Sequence, residues 1–207
     1  MDTRDTVNRT LDLCVVGLGN PGVRYADTRH NIGFVIIDML ADRFAVRDFR
    51  LESDAHVAQV YTDRHALLVC KPQTYMNRSG VAVSALLDRH GLTPGQLLII
   101  SDDTALPTGT LRLRTRGSSG GQKGLQSLID ELGTSAFMRL RCGVGAPPPG
   151  DDVADYVLGP FRKDEKDLVA QMARRAGEAV LSLLEQGIER TMNIFNTHPT
   201  TSQDRAL

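Results

Sequence analysis

The order of apolar patterns in this 207-residue chain predicts an α/β sandwich built on a largely buried, mixed sheet. Three observations carry that class. Short β-type runs alternate with helical stretches along the whole chain. Two of those runs, His56–Tyr61 and His65–Cys70, flank Thr62-Asp63 as a hairpin, so part of the sheet is antiparallel. A third run, Thr110–Arg114, alternates strictly, with Leu111 and Leu113 inward and Arg112 and Arg114 outward. At 41% hydrophobic residues the chain can bury a sizeable core, and its length is that of one domain.

The elements follow in order. Leu11–Val16 is a first strand, and Ile32–Phe44 is a helix with Phe34, Ile37, Met39 and Leu40 on its apolar side. After the hairpin, Thr74–His90 is a second helix with Val81, Leu86 and Leu87 facing inward. Leu97–Ile100 is a compact buried strand ending at Asp102-Asp103. Gly120–Leu132 is a helix led by glycines, and Met138–Val144 a further strand. A long amphipathic stretch over 164–195 carries Leu168, Met172, Ala176, Ala179, Leu183, Leu184, Ile188 and Met192, with a break at Gly187. The boundaries predicted are a flexible extension over 1–10, one catalytic α/β domain over 11–196 and a disordered polar tail over 197–207.

The formal net charge of −1 neither favours nor excludes a polyanionic partner. Cys14, Cys70 and Cys142 are isolated, each in an apolar setting without metal-ligand spacing, and read as reduced buried thiols. The first dozen residues lack the apolar stretch of a secretory signal, and no window approaches the ~18 uninterrupted apolar residues of a membrane span. The expectation is a cytoplasmic protein without a membrane partner.

Gly17-Leu-Gly19-Asn-Pro-Gly22 matches the G-x-G-x-x-G dinucleotide fingerprint after a predicted strand. The fingerprint requires a helix starting at the second glycine, so that its N–H groups meet a pyrophosphate. Here Pro21-Gly22 intervenes, and helical periodicity begins only near Ile32. The acidic residue required ~20 positions later would be Asp38 or Asp42, both inside the predicted helix. A nicotinamide or flavin cofactor is therefore disfavoured. Gly19-Asn20-Pro21-Gly22 reads instead as a tight turn at the carboxyl end of a strand, where open α/β sheets place ligands. Asn20 there either faces the crevice or, as is more common for a lone Asn, supports its own turn, and His30, taken alone, is more often a cap or packing residue than a catalyst.

Further segments in fixed order decide between those alternatives. "GLGNPGVRYADTRHNIGF", "KPQTYMNRSG", "DDTALPTG", "GSSGGQKGLQSL" and "RLRCGVGAP" together resemble the bacterial-type peptidyl-tRNA hydrolases, over about residues 12–195. The resemblance implies a monomeric three-layer α/β/α sandwich with a mixed, mostly parallel twisted sheet. It also implies hydrolysis, without metal or cofactor, of the ester joining a peptide to the 3′ end of tRNA. By the same resemblance His30 is the catalytic histidine and Asp102 its partner aspartate. Asn20 and Asn77 fall on substrate-positioning asparagines, Tyr25 on a tyrosine near the tRNA 3′ terminus, and Met76 on an apolar wall of the peptide cleft. The residue types suit the chemistry: an imidazole with an unperturbed pKa of ~6.5 activates water near neutral pH. An aspartate on its other nitrogen fixes tautomer and orientation, and the asparagines offer both donors and acceptors. Ser79 and Ser101 read as structural, and Cys70 has no activating partner.

Residues 104–129 contain Arg112, Arg114, Arg116 and Lys123 and no acid, a local charge of +4. Arg139 and Arg141 share a later strand and one face. A basic run is commonly a solvated face; the resemblance favours Arg112, Arg114 and Arg141 as ligands of tRNA phosphates, and Lys123, at a departure from the family, is expected to bind a phosphate or the peptide carbonyl. The chain departs from the family at Gln122-Lys123, where His-Asn is usual, at Ala105, commonly acidic, and in "APPPGDD", which lacks a common basic residue. The competing reading is a non-hydrolytic RNA-binding relative, since chloroplast splicing factors use the same fold.

Overall fold

Leu13–Gly17 (β1) is buried along its whole length, the pattern of a strand covered on both faces. The computed structural model describes residues 9–46 and 48–197 and gives β1 the centre of a seven-stranded sheet. The other strands are Arg50–Glu52 (β2), Ala55–Tyr61 (β3), Ala66–Pro72 (β4), Leu97–Asp103 (β5), Leu111–Arg114 (β6) and Met138–Gly143 (β7). Their order is β2-β3-β4-β1-β5-β7-β6. β4, β1, β5 and β7 run parallel, and antiparallel strands close both edges. The mixed sheet is thus parallel at its core, as four apolar runs joined by helical crossovers require.

The period-two alternation of each strand feeds two cores. Leu13, Val15, Leu98 and Ile100 face Ile32–Arg43 (α1), Lys166–Gln186 (α5) and Ile188–Phe195 (α6). Cys14, Val16, Leu97 and Ile99 face Ser79–His90 (α2) and Lys123–Leu132 (α3). The architecture is the predicted three-layer α/β/α sandwich. Among the described residues no helix is long and apolar enough to cross a membrane.

Several boundaries differ from the sequence expectation. Residues 74–78 do not continue α2: the Met76 N–H donates to the Asn20 side chain, and Met76–Arg78 forms a 3-10 turn before the helix starts at Ser79. The inward face of α2 is Ala82, Val83, Leu86 and Leu87, with Val81 38% exposed. α3 begins at Lys123, because Gly120 and Gly121 take φ of +59° and +86° and keep the preceding turn out of the helix. The break at Gly187 is present, with φ +79° between α5 and α6. Leu168, assigned to the apolar stripe, is half-exposed. Two elements had no forecast: β2 and the short helix Val153–Val157 (α4). The extension and tail expected over 1–10 and 197–207 lie mostly outside the described residues, although Arg9 donates to the Thr62 and Asp63 carbonyls.

Candidate active site

The carboxyl ends of β4, β1 and β5 lie side by side, and the segments leaving them build the site. β1 leaves through Leu18 and the Asn20-Pro21-Gly22 turn, and two 3-10 turns, Val23–Tyr25 and Arg29–Asn31, lead back to α1. That return requires backbone-to-backbone contact: a Cβ on Gly17 would lie 2.2 Å from the Gly33 carbonyl oxygen, and one on Gly33 would lie 2.5 Å from Leu18. Gly17 and Gly19 of the would-be cofactor fingerprint therefore serve chain packing, Gly22 takes a φ of +100° in the turn, and no helix starts at Gly19 to receive a pyrophosphate.

His30 is held from both sides. On one side Arg29 is buried between the rings of Tyr156 and Phe161, 4.5 and 4.7 Å from its guanidinium carbon. Its Nη2 meets Glu165 at 2.9 Å, and its N–H donates to the Gly159 carbonyl. Burial pushes the Glu165 carboxyl up, but the Arg162 N–H and the Arg29 guanidinium outweigh it and hold Glu165 below the usual carboxylate range. On the other side Asn31 accepts the Asn20 N–H at 2.8 Å and donates to the Asn20 carbonyl at 2.9 Å. The turn carrying Asn20 is thereby tied to the residue after His30.

His30 Nδ1 lies 2.8 Å from Asp102 Oδ2, a contact between residues 72 apart in sequence. The pair is mostly shielded, with side chains 12% and 4% exposed. With Asp102 ionised, Nδ1 carries the proton and Nε2 is left as an acceptor without a partner among the described residues. Asn20 Oδ1 accepts the Met76 N–H at 2.8 Å, so its amide donor is the group left for a ligand. Met76 is buried beneath it, while Asn77 on the same 3-10 turn is exposed. Tyr25 is half-buried at the end of the first 3-10 turn, with the Arg24 guanidinium 5.6 Å from its ring centre. His30, Asp102, Asn20 and Met76 are thus brought together.

The basic residues separate into different environments. Arg112 stands directly across the β6–β7 pair from Arg141, and Arg114 across from Arg139, so all four share one sheet face. Arg139 is buried, donates to the Ser118 and Ser135 carbonyls and packs on Phe137, which removes it from the surface set expected from its strand. Burial lowers its pKa, and the Arg141 charge adds to that. Arg141 pairs with Asp103, and Arg112 gives one N–H to the Asn196 carbonyl at 3.3 Å. Arg114 and Lys123 are exposed. Sequence reasoning missed Asn31, Arg29, Glu165 and Gln122 as parts of the site. The first two lay inside the quoted "TRHNIG" segment, but their partners are distant or backbone groups.

The remaining nucleophile candidates are inert. Cys70 and Cys14 lie 3.7 Å apart and fully buried; their mutual bond and burial push the Cys70 thiol well up. Burial, with the Asp102 and Asp103 charges, does the same to Cys142. Ser79 donates to the Met76 carbonyl, and Ser101 is buried in β5. Among the described residues no three His, Cys, Asp or Glu side chains converge as a metal site.

A family model described as peptidyl-tRNA hydrolase matches residues 14–204. Peptidyl-tRNA hydrolase of Moorella thermoacetica is 48% identical over 187 residues, which are 90% of this chain and 98% of that protein. That of Persephonella marina is 44% identical over 182 residues, 88% of this chain and 96% of the relative. The crystal structure of peptidyl-tRNA hydrolase from Acinetobacter baumannii matches with a TM-score of 0.86 at 30% identity, covering 94% of this chain and 100% of that one. With near-complete coverage in sequence and in fold, the chain belongs to the peptidyl-tRNA hydrolase family.

Proposed function

We propose that the chain hydrolyses the ester between a peptide, or an N-blocked aminoacyl group, and the 3′ end of tRNA, with His30 as general base. The observation that carries this reading is the 2.8 Å contact of His30 Nδ1 with Asp102, which leaves Nε2 as the acceptor, with the adjoining Asn31 bonded to Asn20. Nε2 takes a proton from water as the water oxygen bonds to the ester carbonyl carbon, and the carbonyl π pair moves onto its oxygen. The resulting imidazolium is stabilised by Asp102. Collapse of the tetrahedral intermediate breaks the bond to the ribose oxygen, which receives the proton from Nε2. The products are a free peptide acid and a tRNA with its terminal hydroxyl restored.

Asn20 acts as a donor, since its oxygen is occupied by Met76, and it serves the oxyanion or the adjoining peptide carbonyl. Asn77, exposed on the 3-10 turn after Met76, contacts the peptide, Tyr25 the tRNA terminus, and the buried Met76 offers the peptide an apolar wall. On the RNA side, like charges directly across a strand pair cost stability, and among the described residues only Arg141 of the four arginines of β6 and β7 has a carboxylate partner. A polyphosphate backbone relieves that repulsion, and Arg114 and Lys123 are the exposed cations best placed to meet it. A surface hollow lined by Arg29, Asp151, Asp152 and Asp155 carries three carboxylates, a charge that disfavours a phosphate there. The enzyme works as a monomer in the cytoplasm.

The test is incubation of the purified chain with N-acetyl-aminoacyl-tRNA, with and without chelator. Release of the acyl group in both arms supports the reading. Binding of the tRNA without cleavage favours a non-hydrolytic RNA-binding relative instead.

A further inference from the structure

We propose that Gln122 is a positioning residue for the catalytic pair, its amide nitrogen holding Asp102 and, through it, His30. The inference rests on the reading of His30 as the base. Gln122 Nε2 donates to Asp102 Oδ1 at 3.1 Å, while the other carboxylate oxygen meets His30 at 2.8 Å. A carboxylate engaged at both oxygens cannot rotate without breaking one of the two contacts. The amide has one workable orientation. Its Oε1 accepts the Leu125 N–H at 2.8 Å as the N-cap of α3, and exchanging O and N would set an oxygen against Asp102 and a donor against a donor.

The surroundings leave this task to Gln122. Asp102 is 5% exposed at the end of β5. Its ionisable neighbours among the described residues include His30, Asp103 and Cys142; Asp103 engages Arg141, and the Cys142 thiol is held neutral. The same Nε2 lies 3.3 Å from Met76 Sδ, and the Met76 N–H bonds Asn20. Asp102, Gln122, Met76, Asn20, Asn31 and His30 therefore form a closed ring of contacts. Gly120 and Gly121, with positive φ, and the Gln122 N–H bond to the Ser119 carbonyl deliver the side chain to that place.

Two substitutions separate positioning from helix capping. Gln122→Glu keeps an oxygen for Leu125 but replaces the donor with a second carboxylate oxygen facing Asp102. Gln122→Met removes the donor without adding charge but also removes the Leu125 acceptor, so its kcat is compared with that of Gln122→Glu, which keeps the cap. Each is expected to lower kcat on N-acetyl-aminoacyl-tRNA roughly tenfold or more, with KM within about twofold of wild type. The acid limb of the kcat profile moves to higher pH in Gln122→Glu alone, because facing carboxylates retain a proton. The Tm of Gln122→Glu is measured beside wild type, so that a loss of kcat is read only in the folded variant; the retained Leu125 cap supports the fold, and the facing carboxylates oppose it. A turnover-independent readout is the NMR signal of the His30 Nδ1 proton, which exchanges faster with water in Gln122→Met.

Wild-type kcat and acid limb in folded Gln122→Glu would leave Gln122 a cap only and overturn the proposal. Wild-type kcat in Gln122→Met would do the same, because it assigns the loss in Gln122→Glu to added charge. Should the wild-type chain itself release no acyl group, the assignment of function fails; unchanged Nδ1 exchange in Gln122→Met is the result that overturns the positioning role independently.

Discussion

Asn31→Ala removes the side chain that ties the Asn20 turn to the His30 segment. Asn31 is 2% exposed and makes two bonds, accepting the Asn20 N–H at 2.8 Å and donating to the Asn20 carbonyl at 2.9 Å. Truncation leaves both backbone groups of a buried residue without partners. Each orphaned group costs ~1–3 kcal/mol, and water entering the space left by the amide recovers part of it. The expected loss is about 2–4 kcal/mol, equivalent to a Tm drop of roughly 5–15 °C in a chain of this size. Because the sequence contains no Trp, urea unfolding followed by far-UV circular dichroism is the suitable assay. Asn20 then loses its fixed position relative to His30, and kcat/KM falls about 10–100-fold, as sub-ångström to ångström misplacement of a catalytic group does. Asn31→Asp, which retains the acceptor and loses the donor, should retain part of the stability. A stability of Asn31→Ala within about 0.5 kcal/mol of wild type would refute the reasoning, since that is the range of a surface substitution.

Other outcomes follow from the same geometry. Glu165→Gln leaves the buried Arg29 charge uncompensated and should destabilise the fold by about 3 kcal/mol in chemical denaturation. Glu165 and Glu52 titrate below the usual 4.5 when folded; for Glu52, burial opposes this and the Arg50 and His90 bonds outweigh it. Their contribution is therefore complete above that value and lost as pH falls through the folded pKa values. Tm measured from about pH 6 downward should drop below pH ~4.5, with a shallower drop in Glu165→Gln. Arg114→Ser should weaken tRNA binding and reduce the slope of log K against log salt by about 1, measured by filter binding across a salt series. An unchanged slope removes Arg114 from the phosphate contacts.

Much of the fold was legible because its signals are local. Runs such as Leu97–Ile100 and Leu13–Val16 are apolar on both faces, as strands covered by helices must be, and Gly187 marked a break that is present. β2 escaped because three residues, Arg50-Leu51-Glu52, show no alternation and pair only through the turn at Ser53-Asp54, where both φ are positive. α4 escaped because five residues hold less than two turns of pattern, although its Asp152 cap is visible in the sequence. Residues 74–78 read as helix until the Asn20 side chain takes the Met76 N–H, a contact 56 positions away.

The site divides along the same line. His30 and Asp102 could be named from motifs in order, whereas their neighbours depend on long-range contacts that no local pattern records. Arg29 meets Glu165 across 136 positions, and Gln122 meets Asp102 across 20. Arg139 shows the opposite failure. It alternates like a surface cation, yet the loop at Ser118 and the ring of Phe137 cover it. Arg112 is similarly occupied, because Asn196 pairs its amide with both backbone groups of Leu113 and its carbonyl with the Arg112 guanidinium.

The most direct test of His30 as the base is single-turnover hydrolysis of N-acetyl-aminoacyl-tRNA by His30→Ala beside the wild-type chain. The account predicts a rate reduced about 10²–10⁴-fold, the usual contribution of general base catalysis, with tRNA affinity and Tm preserved. A rate within a few-fold of wild type in that folded variant would contradict it.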